Sequence, residues 1–144
     1  GEIIWQKSKG ANANFAWGSW LSASNPVIRD IHEYCLVFSK DSMKNSGGGK
    51  STIEKDEFME STLSIWNITP EKAKKIGHPA PFPVELPKKF INLYSFKDDL
   101  ILDPFIGSGT TAVASKLLKR KYVGYEINKN YIEIANNRLK METS

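Results

Sequence analysis

The chain has 144 residues, of which 40% are hydrophobic and 25% are charged. This length allows one modest hydrophobic core, and the apolar content is sufficient for a globular fold. No apolar run approaches the roughly 20 residues that a membrane-spanning helix needs, and no signal-peptide pattern opens the chain. We therefore predict a cytoplasmic protein without a membrane partner. The single cysteine excludes a disulfide framework, and the net charge of +4 favours an anionic partner only weakly.

The first half of the chain predicts two strands and a long polar segment. Residues 2–7 and 34–38 are apolar, with β-branched and aromatic side chains typical of strands. Residues 41–52 are polar and Gly-rich without apolar periodicity, which predicts flexibility, and the pattern of residues 53–68 is ambiguous. The chain has no initiating Met and enters a strand at residue 2, which we interpret as part of a longer polypeptide.

The second half predicts a regular alternation of helices and strands. A helix is expected over about 84–94, with Pro87 in its first turn. A strand over 99–103, a helix over about 109–119, a strand over 122–127 and a helix over about 129–140 follow. This alternation is typical of an α/β fold with parallel strands.

The segment Asp103–Thr111 is the most informative part of the chain. It directly follows the apolar run 100–102 and precedes an apolar helix, so it predicts a strand, a tight Gly-rich turn and a helix that Thr110 and Thr111 can cap. Such a turn brings backbone close to a small polar ligand at a helix N-terminus. Glu126 follows Asp103 by 23 positions, after the next strand, where nucleotide-type sites place an acceptor for ribose hydroxyls. The sequence therefore predicts a cofactor that contains a ribose.

Four stretches of the chain resemble the DNA amino-methyltransferases, specifically their beta group. The Gly-rich turn resembles that family's S-adenosylmethionine-binding motif, and Val123–Glu126 resembles its second cofactor motif. The segment His78–Pro83 is similar to the one that leads into the cofactor turn. Residues 2–7 and 32–40 are similar to the family's final hairpin of strands. The resemblance covers nearly the whole chain, and the order of the segments fits this circularly permuted arrangement only.

This resemblance implies an α/β fold with a Rossmann-like methyltransferase sheet that is incomplete in this chain. The cofactor-side strands and the terminal hairpin are present, whereas the central catalytic strands are absent. Residues 1–144 then form one partial methyltransferase domain. Its parts are the terminal hairpin and loop over 1–40, a flexible segment and candidate target-recognition segment over 41–77, and the S-adenosylmethionine-binding part over 78–144.

The resemblance also implies S-adenosylmethionine as the cofactor and a set of residues that bind it. The set is Asp103, Phe105, Gly107, Ser108, Gly109, Thr110, Glu126, Ile127, His78 and Phe82. Within this set, Gly107 and Gly109 let the backbone approach the methionine part of S-adenosylmethionine. Asp103 faces the positive amino-acid or sulfonium end of this methyl donor. Glu126 accepts both ribose hydroxyls, while Phe82 and Ile127 form apolar walls for the adenine.

One departure from the family pattern concerns catalysis. The family's Asp/Ser-Pro-Pro-Tyr motif, which grips the extruded base, does not occur in these residues. The resemblance therefore implies the carboxy-terminal part of an enzyme that methylates cytosine or adenine in double-stranded DNA, with a mild preference for cytosine from the form of the His78–Pro83 segment. Such an enzyme belongs to a restriction–modification system or acts as a solitary modifier. The alternative is a non-catalytic cofactor-binding or complementing subunit, which would associate with the missing part or with itself.

The loop between the first two strands predicts a DNA contact. Its cations and aromatic side chains, interleaved with Asn and Gly, are typical of nucleic-acid surfaces. They are Lys7, Lys9, Trp17, Trp20 and Arg29. The alternative is that the tryptophans pack over the hairpin and the cations are solvated.

Three other site types are disfavoured by the sequence. The segment Gly47–Thr52 ends like a phosphate-binding loop, but such a loop needs Gly where Lys44 stands. A nicotinamide-binding turn has a third Gly at the position of Ala112, although some members tolerate Ala there. His32 and Glu33 point to opposite faces of a strand, and no further ligand lies at metal-binding spacing, so no metal is predicted.

Overall fold

The computed structural model describes residues 1–7, 20–21, 26–42, 44, 47–71 and 82–141. The chain divides into two compact units, and each contains its own sheet. The first unit comprises Gly1–Phe38 and Leu63–Thr69, and the second comprises Ser39–Thr62 and Pro70–Ser144. Residues 63–69 belong to the first unit although they lie within the predicted segment 41–77. The target-recognition role of that segment stays a prediction.

The sheet of the first unit is formed by strands β1 (Glu2–Gln6), β2 (His32–Leu36) and β3 (Ile65–Asn67) in the order β2-β1-β3. Strands β1 and β2 are antiparallel, which confirms the predicted pair of strands, although β2 spans 32–36 rather than the predicted 34–38. Strand β3 runs parallel to β1, so that Trp5 lies beside Trp66. This third strand was not predicted, because three residues are too few to show an alternating pattern.

One face of this sheet carries the core of the first unit. Ile3 and Trp5 of β1, Trp66 of β3 and the adjacent Ile68 are almost fully buried. The Trp5 indole Nε1 donates a hydrogen bond of 2.8 Å to the Ile68 carbonyl, so its polar group is satisfied inside the core. Alternate side chains of a strand point to opposite faces, and the apolar side chains on the other face are largely exposed.

From residue 85 onwards, the second unit alternates helices and strands as the sequence predicted. Its elements are α1 (Lys55–Ser61), α2 (Glu85–Tyr94), β4 (Leu100–Asp103), α3 (Thr110–Leu117), β5 (Lys121–Gly124) and α4 (Lys129–Met141). Strands β4 and β5 are parallel neighbours, and Asp103 lies opposite Gly124. The carboxyl ends of both strands therefore meet at the same edge of the sheet.

Helix α3 is the centre of the second unit. Ala112, Val113 and Ala114 are almost completely buried, and α3 contacts α2, β5 and α4. Small side chains let these elements approach α3 closely. The helix ends with Lys119 in the left-handed region at φ 59°, and the Arg120 N–H donates back to the Ser115 carbonyl at 2.8 Å. This is a Schellman ending, which satisfies the last carbonyls and turns the chain into β5.

The Arg120 side chain ties three segments of the second unit together. Its guanidinium is buried, and it donates to the Thr52 hydroxyl, to the Leu118 carbonyl at 2.7 Å, and to both the hydroxyl and the carbonyl oxygen of Ser95. Burial lowers the pKa of Arg120, and the carboxylates of Asp99 and Asp98 act in the opposite direction. Thr52 closes the Gly-rich segment that resembled a phosphate loop, and its hydroxyl is engaged inside the protein.

The described residues show neither a membrane span nor a metal-ligand cluster. None of their helices combines the length and the apolar character that a bilayer crossing demands. Within the same ranges, no three His, Cys, Asp or Glu side chains are grouped so that they could hold a metal ion. Cys35 is half-buried, and burial together with the nearby Glu33 carboxylate raises the pKa of its thiol.

Candidate cofactor site

The turn after β4 is shaped first by its own aspartate. Oδ1 of Asp103 accepts a hydrogen bond of 3.0 Å from the Phe105 N–H, which closes a local turn. Gly107 and Gly109 then adopt left-handed backbone conformations, with φ of 51° and 82°. A side chain is strained in that region, so glycine allows the chain to reverse here and enter α3 at Thr110.

Hydrogen bonds join this turn to the segment that follows β5. The Tyr125 N–H donates to the Asp103 carbonyl at 3.1 Å, and the Ile106 N–H donates to the Tyr125 carbonyl at 3.0 Å. The Gly107 N–H donates to Oε2 of Glu126 at 3.1 Å. The turn after β4 (residues 103–109) and the segment after β5 (residues 125–128) thus form one continuous surface, which we call the ledge. It lies at the carboxyl edge of β4 and β5, where open α/β sheets bind their ligands.

Glu126 is the polar centre of the ledge. Besides the bond from Gly107, its Oε1 accepts a hydrogen bond of 2.8 Å from the Asn128 N–H. Each oxygen of a carboxylate has two lone pairs, so both oxygens can accept one further hydrogen bond. The backbone fixes the carboxylate in place and leaves it able to bind a vicinal pair of hydroxyls. The chemistry of this acceptor therefore fits the ribose of the predicted cofactor.

Two glycines of the site are required by contacts within the protein. A Cβ at position 124 would lie 2.1 Å from Cδ1 of Ile106, and a Cβ at position 109 would lie 2.7 Å from Cβ of Ala135. Helix α4 therefore occupies the direction that a side chain of residue 109 would take. The packing explains this glycine without a ligand, and its predicted backbone contact with the cofactor stays a prediction.

Ser108 and Thr110 turn their side chains towards α4. Both residues are buried, and both hydroxyls accept hydrogen bonds from Nη1 of Arg138, at 3.3 Å and 2.9 Å. The prediction that threonines cap α3 was wrong: Gly109 is the N-cap residue, and no side chain caps the helix. The first N–H groups of a helix have no partner within the helix, so they can serve a ligand.

Arg138 was missed by sequence reasoning. The only sequence signal is its place three residues after Ala135, on the same face of a predicted helix. A lone arginine at such a place is usually solvated. Its contact with the Gly-rich turn depends on how α4 packs, which the sequence does not show.

The apolar members of the predicted set lie in different surroundings. Phe105 is 87% exposed and Ile127 is 100% exposed, and they flank the ledge on its two segments. Exposed apolar side chains beside a polar centre are typical of ligand sites. Phe82 is half-buried before α2, and His78 lies outside the described residues.

The predicted DNA-contact residues belong to the first unit. Lys7 forms an ion pair with Glu33, and its Nζ lies 5.2 Å from the centre of the Trp5 ring. Trp20 and Arg29 are exposed, whereas Lys9 and Trp17 lie outside the described residues. The pairing with Glu33 reduces the charge that Lys7 presents to a phosphate.

The ledge and the parallel strands β4 and β5 form the cofactor side of a Rossmann-like methyltransferase sheet. This is the class of proteins that the sequence predicted. The family model described as DNA methylase matches residues 1–137. The chain therefore belongs to this family of DNA amino-methyltransferases, which confirms the resemblance. The sheet is incomplete, since the chain spans about half the length of the curated relatives it matches.

Relatives and solved structures agree with this assignment. The type II methyltransferase M.MthZI of Methanothermobacter thermautotrophicus is 30% identical over 150 residues, which cover 95% of this chain and 42% of that protein. M.HindIII of Haemophilus influenzae is 33% identical over 147 residues, which cover 92% of this chain and 46% of that protein.

Two solved structures are also similar. The structure of TTHA0409, described as a putative DNA modification methylase from Thermus thermophilus, in complex with S-adenosyl-L-methionine, matches with a TM-score of 0.70 at 27% identity; the match covers 99% of this chain and 53% of that chain. The PvuII cytosine-N4-specific methyltransferase shares the fold, with 23% identity and a TM-score of 0.69; the match covers 95% of this chain and 49% of that chain.

Proposed function

We propose that the intact protein is a DNA methyltransferase that transfers a methyl group from S-adenosylmethionine to an exocyclic amino group of cytosine or adenine. This chain supplies the cofactor-binding half. The observation that carries the proposal is the Glu126 carboxylate, held by two backbone N–H groups beside the Gly-rich turn. The family and the methyltransferase relatives support it, as does the neighbour crystallised with S-adenosyl-L-methionine.

The residues of the ledge fit the parts of this cofactor. Glu126 accepts the ribose hydroxyls, and the free N–H groups at the start of α3 face the carboxylate of the methionine part. Phe105 and Ile127 offer apolar surface to the adenine. Asp103 has a second carboxylate oxygen that can attract the positive ammonium group. The ledge thus holds the donor in one orientation, and orientation is a main source of rate acceleration.

The chemistry divides between the cofactor and the two halves of the protein. When bound, S-adenosylmethionine would supply a methyl group on a positively charged sulfur. The amino nitrogen of the base would bond to the methyl carbon while the carbon–sulfur bond breaks, and the nitrogen would release a proton. The described residues bind and orient the donor. A duplex hides the amino groups of its bases, so the target base must be flipped out. No residue of this chain is assigned to grip that base, because Pro-Pro-Tyr does not occur in it.

A methyl-transfer assay on the intact protein tests this function. We expect tritium from methyl-labelled S-adenosylmethionine to enter unmethylated genomic DNA. Nucleoside mass spectrometry should then find either N4-methylcytosine or N6-methyladenine. Glu133 carries an exposed carboxylate on α4, so Glu133→Gln serves as the active control. Binding of the donor without label in either nucleoside would refute the transfer reaction and leave the cofactor assignment standing.

A second candidate is that the chain is a non-catalytic or complementing subunit, and the exposed apolar strand faces favour it. Leu100 and Leu102 lie on one face of β4 and are 62% and 61% exposed. Tyr34 and Leu36 on β2 are exposed in the same way within the first unit. Parallel sheets in α/β proteins are covered on both faces. The strands and helices of the missing half would cover these residues.

The isolated chain provides the test of this second candidate. We expect size-exclusion chromatography with light scattering to show self-association, because exposed apolar strand faces associate. Adding a separately produced polypeptide that contains the catalytic half should give a one-to-one complex. Leu100→Asn combined with Leu102→Asn should weaken that complex. A stable monomer of the unmodified chain with sharp, cooperative melting would contradict the expectation.

A further inference from the structure

The guanidinium of Arg138 lies behind the Gly-rich turn. Nη1 donates to the Ser108 carbonyl at 3.1 Å, to the Ser108 hydroxyl at 3.3 Å and to the Thr110 hydroxyl at 2.9 Å. The residue is buried, and a buried charge is costly unless hydrogen bonds compensate it. All three of these acceptors belong to the turn that leads into α3.

A second contact fixes the same turn to the same helix. Ala135 precedes Arg138 by three positions, so the two side chains lie on one face of α4. The Cβ of Ala135 occupies the space that a side chain at position 109 would need. Helix α4 therefore holds residues 108, 109 and 110 by shape and by hydrogen bonds together.

The direction of these hydrogen bonds has a consequence for the turn. A guanidinium only donates, so the hydroxyls of Ser108 and Thr110 must accept from it, and this fixes their side-chain conformations. The peptide groups between them are fixed with them. The guanidinium also adds positive charge next to the N-terminus of α3, where the helix dipole is positive.

We propose that Arg138 is a positioning residue for S-adenosylmethionine. It keeps the turn in the conformation that aims the first N–H groups of α3 at the donor, and it strengthens their attraction for the donor's carboxylate. Arg138 does not touch the donor itself. This inference rests on the proposed function and extends it from the residues of the ledge to the helix behind them.

The test compares two buried arginines of the intact protein. We expect Arg138→Met to raise the Kd and the KM for S-adenosylmethionine roughly 10-fold, while kcat at saturating donor changes little, because misplacement of binding groups weakens the complex. Arg138→Lys should recover most of the affinity, since one nitrogen makes all three bonds. Arg120→Met is the matched control: its guanidinium binds Thr52 and Ser95, so this change should lower the Tm without changing the Kd.

A double-mutant cycle separates positioning from direct contact. Thr110→Val removes one acceptor of Arg138, and we expect the two changes together to cost about as much as Arg138→Met alone. The inference would be overturned if the losses of donor-binding free energy in the two single variants were additive in the double variant. It would also be overturned if the Arg138→Met protein kept the original Kd. If Arg138→Met does not fold, the cycle is run with Arg138→Gln, which keeps a polar group in the buried position but is too short to make the three hydrogen bonds of the arginine. Failure of the unmodified protein to bind the donor would instead refute the proposed function.

Discussion

Replacing Glu126 with glutamine is expected to weaken S-adenosylmethionine binding by the intact protein on the order of 100-fold. The carboxylate accepts hydrogen bonds from the N–H groups of Gly107 and Asn128, and we propose that it also accepts both ribose hydroxyls. Each hydrogen bond to a charged group contributes about 1.5–3 kcal/mol, and 1.4 kcal/mol corresponds to a factor of ten. An amide has one oxygen and no charge, so it cannot replace these interactions. Isothermal titration calorimetry measures the change.

A ligand without ribose hydroxyls distinguishes the direct role of Glu126 from its support of the turn. For S-adenosylhomocysteine, which has the same ribose, Glu126→Gln should lower the affinity as much as it does for S-adenosylmethionine. For an analogue with a dideoxyribose, the loss of affinity should be much smaller, because the hydroxyls that the carboxylate binds are missing. Glu133→Gln should bind both ligands normally. An equal loss for both ligands would mean that Glu126 acts only by holding Gly107 and Asn128.

Replacing Gly109 with alanine is expected to destabilise the intact protein by about 2–5 kcal/mol. The residue has φ of 82°, where an L side chain costs about 1–2 kcal/mol. The added Cβ would also lie 2.7 Å from Cβ and 3.0 Å from Cα of Ala135, and such overpacking costs about 1–3 kcal/mol. Denaturant unfolding measures the loss. The affinity for the cofactor should fall as well, because α4 must move away from the turn.

Gly48 offers a matched control for this substitution. It also has a positive φ, of 62°, but a Cβ there would meet no atom within 4 Å. Gly48→Ala should therefore cost only the backbone term of about 1–2 kcal/mol and leave cofactor affinity unchanged. The difference between the two variants isolates the contact with α4. Similar losses in both variants would show that the close contact with Ala135 is relieved without cost.

Local patterns predicted much of the second unit. The alternation of helices and strands after residue 84 was correct to within three residues, because periodic apolar side chains and glycine or proline signals act over short distances. The turn between β4 and α3 was predicted for the same reason. The ambiguous stretch 53–68 proved to hold α1 and β3. Both elements are short and take their stability from neighbours that are distant in the sequence.

The candidate site was predicted in part. Glu126 and the Gly-rich turn come together as the resemblance implied, and hydrogen bonds between two post-strand segments join them. Ser108 and Thr110 face α4 and bind Arg138, which the sequence did not indicate. The cap assigned to the threonines was wrong because residue type alone does not show where a helix begins.

The sequence by itself determined the family, the order of the elements in the second unit and the position of the Gly-rich turn. These follow from residue patterns that are continuous along the chain. Only the tertiary structure decided that β3 pairs with β1, that Arg120 reaches Thr52, and that Arg138 supports the turn from behind. The physical reason is that these contacts join residues between 28 and 68 positions apart, and their energies depend on packing geometry rather than on local preference.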